Sequence, residues 1–345
     1  MPFIGYETWG NQYFDGYLNE PGPDIPVKDI DAFPRNPQYR HCYNKLWVSE
    51  QQGIECGPFG TVPPKFPVFG KPIYNLHSLG IESGIIANVE SYQQILKPGH
   101  MWVELHRGDH ISADFAMVNG KVKWMLPIRG HSLGEGTFDY WELLRGIDPA
   151  LEEKLTSFAE ASLPGYTGMA NLEAIGGNII EMHLRFSEQW PDLYGEWFLP
   201  AVSALYRDGK WSDAGEQRQT AYSFALFAEP KRYAKPDHWF TKQLLTIPGI
   251  SSIQYTFFEN KPVNAQSMPP GGMRIAVVNA FDFAAGNFAR RLIADEMGVA
   301  NGPFVRHSAA CHRLGTGGNG INLIAGAGIG AGSKLQRPEP ALAAH

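Results

Sequence analysis

The chain has 345 residues, 43% hydrophobic and 19% charged, which accommodates two domains or one large one with a substantial core. Its formal net charge of −6 gives no general reason to expect nucleic acid or an anionic membrane as a partner. Three cysteines, Cys42, Cys56 and Cys311, argue against a disulfide framework; with no signal-peptide pattern at the start and no apolar run of membrane-span length, a soluble cytoplasmic protein is expected.

In chain order, residues 1–41 are rich in Pro, Gly, Asn and Asp and read as irregular wrapping. A helix is expected from about Tyr43, running through Lys45 to Gln52 and ending at Gly53. Residues 66–73 form a short apolar run of β character, and residues 77–84 a glycine-bearing loop. A helix over 89–96 stops at Pro98-Gly99; strands follow at 101–105 and 111–118. Asn119-Gly120 is a strong hairpin turn into a strand over 121–126. Residues 148–161 suit an amphipathic helix, 187–207 a Pro- and Trp-rich helical stretch, and 221–228 a strand. A strand over 273–279 leads to a helix over 284–296, and the tail from 314 is glycine-rich.

The most informative stretch is Asn171 to Arg185, which reads as two short strands joined at Gly176-Gly177-Asn178. With those three residues as the loop, position 175 pairs with 179, Glu173 lies opposite Glu181 and Asn171 opposite His183. Asn171, Glu173, Glu181, His183 and Arg185 then share one face, while Leu172, Ile180, Met182 and Leu184 fill the other. Two opposed carboxylates repel across a sheet, and a cation between them removes that penalty. Oxygen-rich pairs of this kind suit magnesium bridging to phosphates. A one-residue slip of the turn would send the glutamates to opposite faces.

Lys45 opens one helix and Lys71 ends an apolar strand, both ahead of the glycine loop. Two ammonium groups on separate elements can clamp oxyanions, and backbone N–H groups around Gly80 and Gly84 could cap the same anions. The order Asn44-Lys45, Phe66-Pro-Val-Phe-Gly-Lys71-Pro72, the Ser78–Gly84 loop, the segment from Trp102 to Asp114, and Ile179-Ile-Glu-Met-His-Leu-Arg185 resembles the ATP-grasp superfamily over about positions 43–186. The individual motifs are degenerate, and their order and spacing carry the likeness.

The resemblance implies an α+β fold: an ATP-grasp-like core of two α+β lobes clasping nucleotide, with a C-terminal α/β extension. The expected division is an irregular segment 1–42, a first lobe 43–120, a second lobe 121–230 with the metal site, the extension 231–313 and a glycine-rich tail 314–345. Lys45 and Lys71 would hold ATP phosphates beneath a flap containing Ser78 and Gly80. The backbone of Trp102, Val103 and Glu104 would meet adenine, with Glu104 or Asp109 as the ribose acid. Glu173, Glu181 and His183 would hold Mg2+; His183 stands where the family has Asn, which leaves Mn2+ as the alternative ion and substrate contact as the alternative role of His183. Arg185, and more weakly Arg129, would stabilise the transferring phosphoryl group. The implied activity is carboxylate–amine ligation through an acyl-phosphate, on small-molecule or peptide substrates. A small-molecule kinase and a non-catalytic ATP-binding protein are the alternatives. A homodimer is the base-rate expectation.

Other patterns are weaker. Gly315-Thr-Gly-Gly-Asn-Gly320 has dinucleotide-binding spacing but no convincing strand before it. Neither His100, His106 and His110 nor His307, Cys311 and His312 completes a zinc pattern. Ser112 and Asp114 lack a nucleophile elbow. Trp190, Tyr194, Trp197 and Phe198 read as core first and as an acceptor pocket second.

Overall fold

A computed structural model of the protein describes residues 2–76, 82–134, 137–266, 268 and 272–299. The first forty residues contain β1 (Phe3–Ile4), α1 (Asn11–Phe14), β2 (Ile25–Pro26) and α2 (Asp29–Arg35), with β1 and β2 paired in parallel. Helix α3 (Lys45–Glu50) follows, started by the Asn44 side chain, which accepts from the backbone N–H groups of Leu46 and Trp47. The next elements are β3 (Cys56–Pro58), β4 (Val68–Pro72), β5 (Gly84–Ile86), α4 (Val89–Ile95) and β6 (His100–Glu104). Then come β7 (His110–Val118), β8 (Lys121–Gly134), β9 (Thr137–Leu143), α5 (Pro149–Ser162), β10 (Gly168–Ile175) and β11 (Asn178–His183). The last described elements are α6 (Phe198–Asp208), β12 (Ala221–Ala228), α7 (His238–Leu245), β13 (Ile250–Tyr255), β14 (Met273–Ala280) and α8 (Phe283–Glu296).

Two antiparallel sheets organise these strands, one of four in the order β3-β6-β4-β5 and one of eight in the order β11-β10-β7-β8-β9-β12-β14-β13. The change of sheet falls in residues 105–109, so β7, expected in the first lobe, belongs with the second. Strands β13 and β14 of the expected C-terminal extension lengthen that same sheet. Among the described residues no helix is long and apolar enough to cross a membrane.

Alternation along β10 and β7 gives the large sheet two different faces. Ala113, Phe115, Leu172, Ala174, Met182 and Leu184 point into a core closed by Leu155 and Ala159 of α5. On the opposite face Ala116, Leu126, Ile128 and Met169 pack with Phe3, Phe14, Ile25 and Val27 of the first segment and with α6. Ser112, Asp114, Asn171 and Glu173 continue that second face toward the turn of the β10–β11 hairpin.

The hairpin keeps the expected face but reaches it by another route. Its loop is two residues, Gly176 and Gly177, both with positive φ (56° and 82°), and Ile175 pairs with Asn178, Ala174 with Ile179. A three-residue loop with 175 opposite 179 is therefore corrected. A bulge next to Glu173 absorbs one residue and restores the opposition of Glu173 to Glu181 and of Asn171 to His183. The absorbed residue is Ile180, so Ile179, fully buried, takes the core place expected of Ile180.

Strand β11 is an edge strand, and side chains seal its outer edge. Gln52 accepts from the Ile179 N–H at 2.9 Å and donates to the Ile179 carbonyl at 2.7 Å. Lys71 donates to the Ile180 carbonyl at 2.8 Å, and the Leu184 N–H donates to the Tyr43 hydroxyl at 3.1 Å. Gln52→Ala would strand a buried N–H and carbonyl. Loss of stability by about 2–4 kcal/mol is expected, read as a lower denaturant midpoint with unchanged m-value.

Candidate functional site

Three elements bring charge together at the hairpin. The first turn of α3 carries Lys45, whose Nζ lies 2.5 Å from Glu181 Oε2. The end of β4 carries Lys71, buried and fixed by its bond to the Ile180 carbonyl. The hairpin itself carries Glu173, Glu181 and His183, which offer ligand atoms all within 4.8 Å of one another. Atoms bound to one divalent ion at about 2.1–2.4 Å lie within that span, so the set fits a metal ion.

Neighbours fix each side chain. His110 Nε2 lies 2.9 Å from Glu173 Oε2, and its ring stands edge-on to Phe138 and Trp141, centroids 5.0 and 5.4 Å away. Gly130 opposite His110 leaves room for those rings; a Cβ there would sit 2.5 Å from Phe138. Asn171 donates to Ser112 Oγ at 2.9 Å and to Asp114 Oδ1 at 2.7 Å, so its amide is a brace for the strand floor. Asp114 also accepts from Tyr194 at 2.6 Å and from the Ser187 N–H at 3.0 Å. From the far N-terminal segment, Asp29 reaches His183 Nδ1 at 3.0 Å and Arg185 Nη2 at 3.2 Å.

Burial and charge set the ionisation. Burial pushes the Glu181 carboxyl up, but Lys45, then His183 and Lys71, outweigh it and hold the carboxyl at about 2. Burial first, and the nearby Lys45 charge second, drag the Lys71 ammonium down to about 7. Asp29 is held well below the carboxylate range, because Arg185 and His183 overcome its burial. Burial would lower the Arg185 guanidinium, but Asp29 and then Asp114 keep it above its ordinary value. Asp114 itself is raised by burial despite its three donors.

The expected residues divide clearly. Lys45, Lys71, Glu173, Glu181 and His183 are brought together, with Arg185 joined through Asp29. Arg129 is not: it pairs with Ile111 on the sheet face opposite Ser112 and Glu173, and its Nε lies 3.2 Å from Asp109. Asp109, a ribose candidate, is thus engaged with Arg129 away from the hairpin carboxylates. Backbone contact from Trp102 and Val103 to a base is also corrected. Strand β6 lies inside the four-stranded sheet, pairing with β3 on one side and β4 on the other, and the Glu104 N–H is taken by the Glu55 carbonyl at 2.9 Å. The Trp102 indole N–H is spent on Thr61. Residues 105–109, outside both ladders, connect the two sheets, and His106 Nδ1 lies 3.9 Å from the Glu104 carboxylate. Ser78 and Gly80 lie outside the described residues, as do His307, Cys311, His312 and the glycine-rich tail.

Sequence reasoning missed Asp29, Gln52 and the partnership of His110 with Glu173. Alternation from Ser112 and Asp114 places His110 on their face, so that signal was present. Nothing local marks Asp29, which meets His183 across more than 150 positions.

No protein-family model matches the chain, and no curated protein matches it. Solved structures do. An L-amino acid ligase from Bacillus licheniformis superposes with TM-score 0.57 at 13% identity, covering 81% of this chain and 75% of its own. A carboxyaminoimidazole ribonucleotide synthase from Aspergillus clavatus complexed with ATP gives 0.53 at 13% identity, covering 82% and 78%. A biotin carboxylase from Campylobacter jejuni in a β-γ-ATP complex gives 0.51 at 13% identity, covering 83% and 79%. This architecture is α+β, two sheets of unequal size clasping the lysine–carboxylate cluster. It is the ATP-grasp fold, and the chain has the fold of the ATP-grasp superfamily.

Ionisation makes a test of the cluster. Lys71 titrates near 7 when folded and near 10.5 when unfolded, so between those values the unfolded chain binds more protons. Stability from this group therefore rises with pH across that window, with a slope approaching about 1.4 kcal/mol per pH unit. Glu181 acts in the opposite range: its contribution is complete above about 4.5 and is lost as pH falls toward 2. In Lys71→Met the slope between pH 7 and 10 is expected to flatten relative to the parent, measured by chemical unfolding at stepped pH. Equal slopes would contradict a depressed Lys71.

Proposed function

We propose that this protein is an ATP-dependent ligase that activates a carboxylate as an acyl-phosphate and passes it to an amine-type nucleophile. The observation that carries the reading is the pair of opposed carboxylates, Glu173 and Glu181, facing Lys45 and Lys71 on an ATP-grasp fold. An L-amino acid ligase and a carboxyaminoimidazole ribonucleotide synthase share this architecture, and the latter was crystallised with ATP.

In this reading Lys45 and Lys71 hold the ATP phosphates. An arriving polyphosphate draws Lys45 from Glu181 and restores the proton of Lys71, because an adjacent anion favours the charged ammonium. Glu173, Glu181 and His183 would hold a divalent ion, Mg2+ or Mn2+, which would supply neutralisation of the charge developing on the transferring phosphoryl group. The substrate carboxylate oxygen attacks the γ-phosphorus, the bond to the β–γ bridging oxygen breaks, and ADP leaves. The amine then attacks the acyl carbon, loses a proton and expels phosphate. Arg185, aimed by Asp29, stabilises the transferring group electrostatically. Glu104 serves the ribose. Splitting one hard condensation into two displacements is what the phosphate achieves.

Glu181→Gln keeps the shape and removes the charge that the ion requires. ADP release in the presence of ATP, a divalent ion, and panels of carboxylates and amines is expected to fall by about 100-fold or more, with the melting temperature preserved. Undiminished turnover would refute the assignment. Release that needs only a hydroxyl acceptor would mark a kinase instead.

A further inference from the structure

We infer that Glu188 and Arg274 form the nucleophile subsite of this protein, and that the amine they take carries an anionic group on its own carbon chain. Glu188 receives the nitrogen and Arg274 the anion. The inference rests on the ligase reading and deepens it by naming the class of nucleophile.

Strand register places both residues. Glu181, Glu173, Ser112, Ile128, Leu143 and Ala221 stand in one row across neighbouring strands, so they share a face of the large sheet. Ser223 and Phe227 follow Ala221 on that face of β12, and Phe227 lies opposite Arg274 on β14. The segment leaving β11 crosses the same face. The Ser187 N–H donates to Asp114 at 3.0 Å, and the Gln189 carbonyl accepts from Gln254 at 2.7 Å and from Asn279 at 2.9 Å. The Gln189 side chain donates to Ser223 Oγ at 3.0 Å and accepts from Arg274 Nη1 at 2.7 Å. Glu188 is thus held between two anchored neighbours, just downstream of Arg185.

The charges of this pair are left open. Glu188 and Arg274 are both half-buried. Among the described residues the Glu188 carboxylate makes no hydrogen bond and no ion pair. Lys28, Arg185 and Arg274 act on it at longer range, with Glu7 opposing them. Each cation is held elsewhere: Lys28 by Glu7 at 2.7 Å, Arg185 by Asp29 at 3.2 Å, and Arg274 by the neutral Gln189 amide. Arg274 likewise has no ion pair among the described residues, although a guanidinium offers five N–H donors. Burial raises the Glu188 carboxyl and lowers the Arg274 guanidinium. Charge withdrawn from water without a partner is costly. A ligand with an ammonium and an anion satisfies both groups at once, whereas a plain amine leaves Arg274 unanswered.

Glu188 also completes the proton balance of the second displacement. It takes one proton from the bound ammonium, which frees the lone pair that attacks the acyl carbon. Phosphate then leaves with the electron pair of its C–O bond and with a second nitrogen proton.

Competition between matched nucleophiles tests this on the full-length protein with ATP, a divalent ion and a panel of carboxylates. The probes are the common α-amino acids, β-alanine and O-phosphoethanolamine, each against the corresponding amine without its anionic group. Hydroxylamine traps the acyl-phosphate as a hydroxamate and reports the first step separately. The parent is expected to prefer the anion-bearing amine by about 100-fold or more in kcat/KM. Whether the carboxylate or the phosphate series wins tells which anion Arg274 takes; either supports the inference. In Arg274→Met the preference should collapse to within about tenfold, chiefly through KM. In Glu188→Gln amide formation should fall about 100-fold relative to hydroxamate formation. Equal use of both kinds of amine by the parent overturns the inference, as does hydroxamate formation without reaction of any anion-bearing amine. Both results leave the ligase reading intact. Absence of ADP release and hydroxamate from the parent with every carboxylate overturns the ligase reading and the subsite together. Should Arg274→Met not fold, the parent's preference and Glu188→Gln still decide.

Discussion

The site exists because the exposed edge of β11 is closed by side chains from the preceding lobe. An edge strand must satisfy a row of backbone donors and acceptors, and here Gln52, Lys71 and Tyr43 do so in place of another strand. Those contacts dock α3 and β4 against the hairpin, which sets Lys45 on Glu181 and Lys71 over the bulge. Structural need and chemical placement coincide: Lys71 is immobilised by a backbone carbonyl, and in that position its ammonium loses solvent and becomes easy to deprotonate.

Electrostatic frustration is concentrated in the same few residues. Glu173 and Glu181 oppose one another on adjacent strands, an arrangement a sheet tolerates only with compensating cations. His110 engages one and Lys45 the other. Arg185, by contrast, is locked between Asp29 and the field of Asp114, which together hold its charge firmly.

Much of this was legible in the residues. The glutamate pair and the hairpin follow from period-two alternation and from a Gly-Gly-Asn turn, and the two lysines from their places at a helix start and a strand end; strand β12 and helix α8 follow from the residue pattern of their segments. The turn length did not follow, because a bulge and a shorter loop cancel in register and leave the same face exposed. Strand β9 mixes aromatic and acidic residues, Phe138-Asp139-Tyr140-Trp141-Glu142, on a half-buried surface without strict alternation, so no period-two pattern marks it. The backbone of Trp102 was misjudged because strand position inside a sheet is a tertiary property: nothing local shows that β6 has partners on both sides. Arg129 failed for a related reason, since its face is decided by its partners on β7. Asp29 lies in a stretch without periodicity and meets its partners only through folding.

Gly176 ties the carboxylate hairpin to the segment joining the two sheets. Its N–H donates to the Asp109 carbonyl at 3.0 Å, and a side chain at that position would collide with the Arg107 carbonyl. Gly108 comes equally near from the other side, where a Cβ would lie 2.8 Å from Gly176 Cα. Two bare backbones thus press on each other like meshed teeth. The turn ends the same strands that carry Glu173 and Glu181. Bare backbone at 108 and 176 is therefore what lets the segment joining the two sheets lie directly against the turn of the carboxylate hairpin.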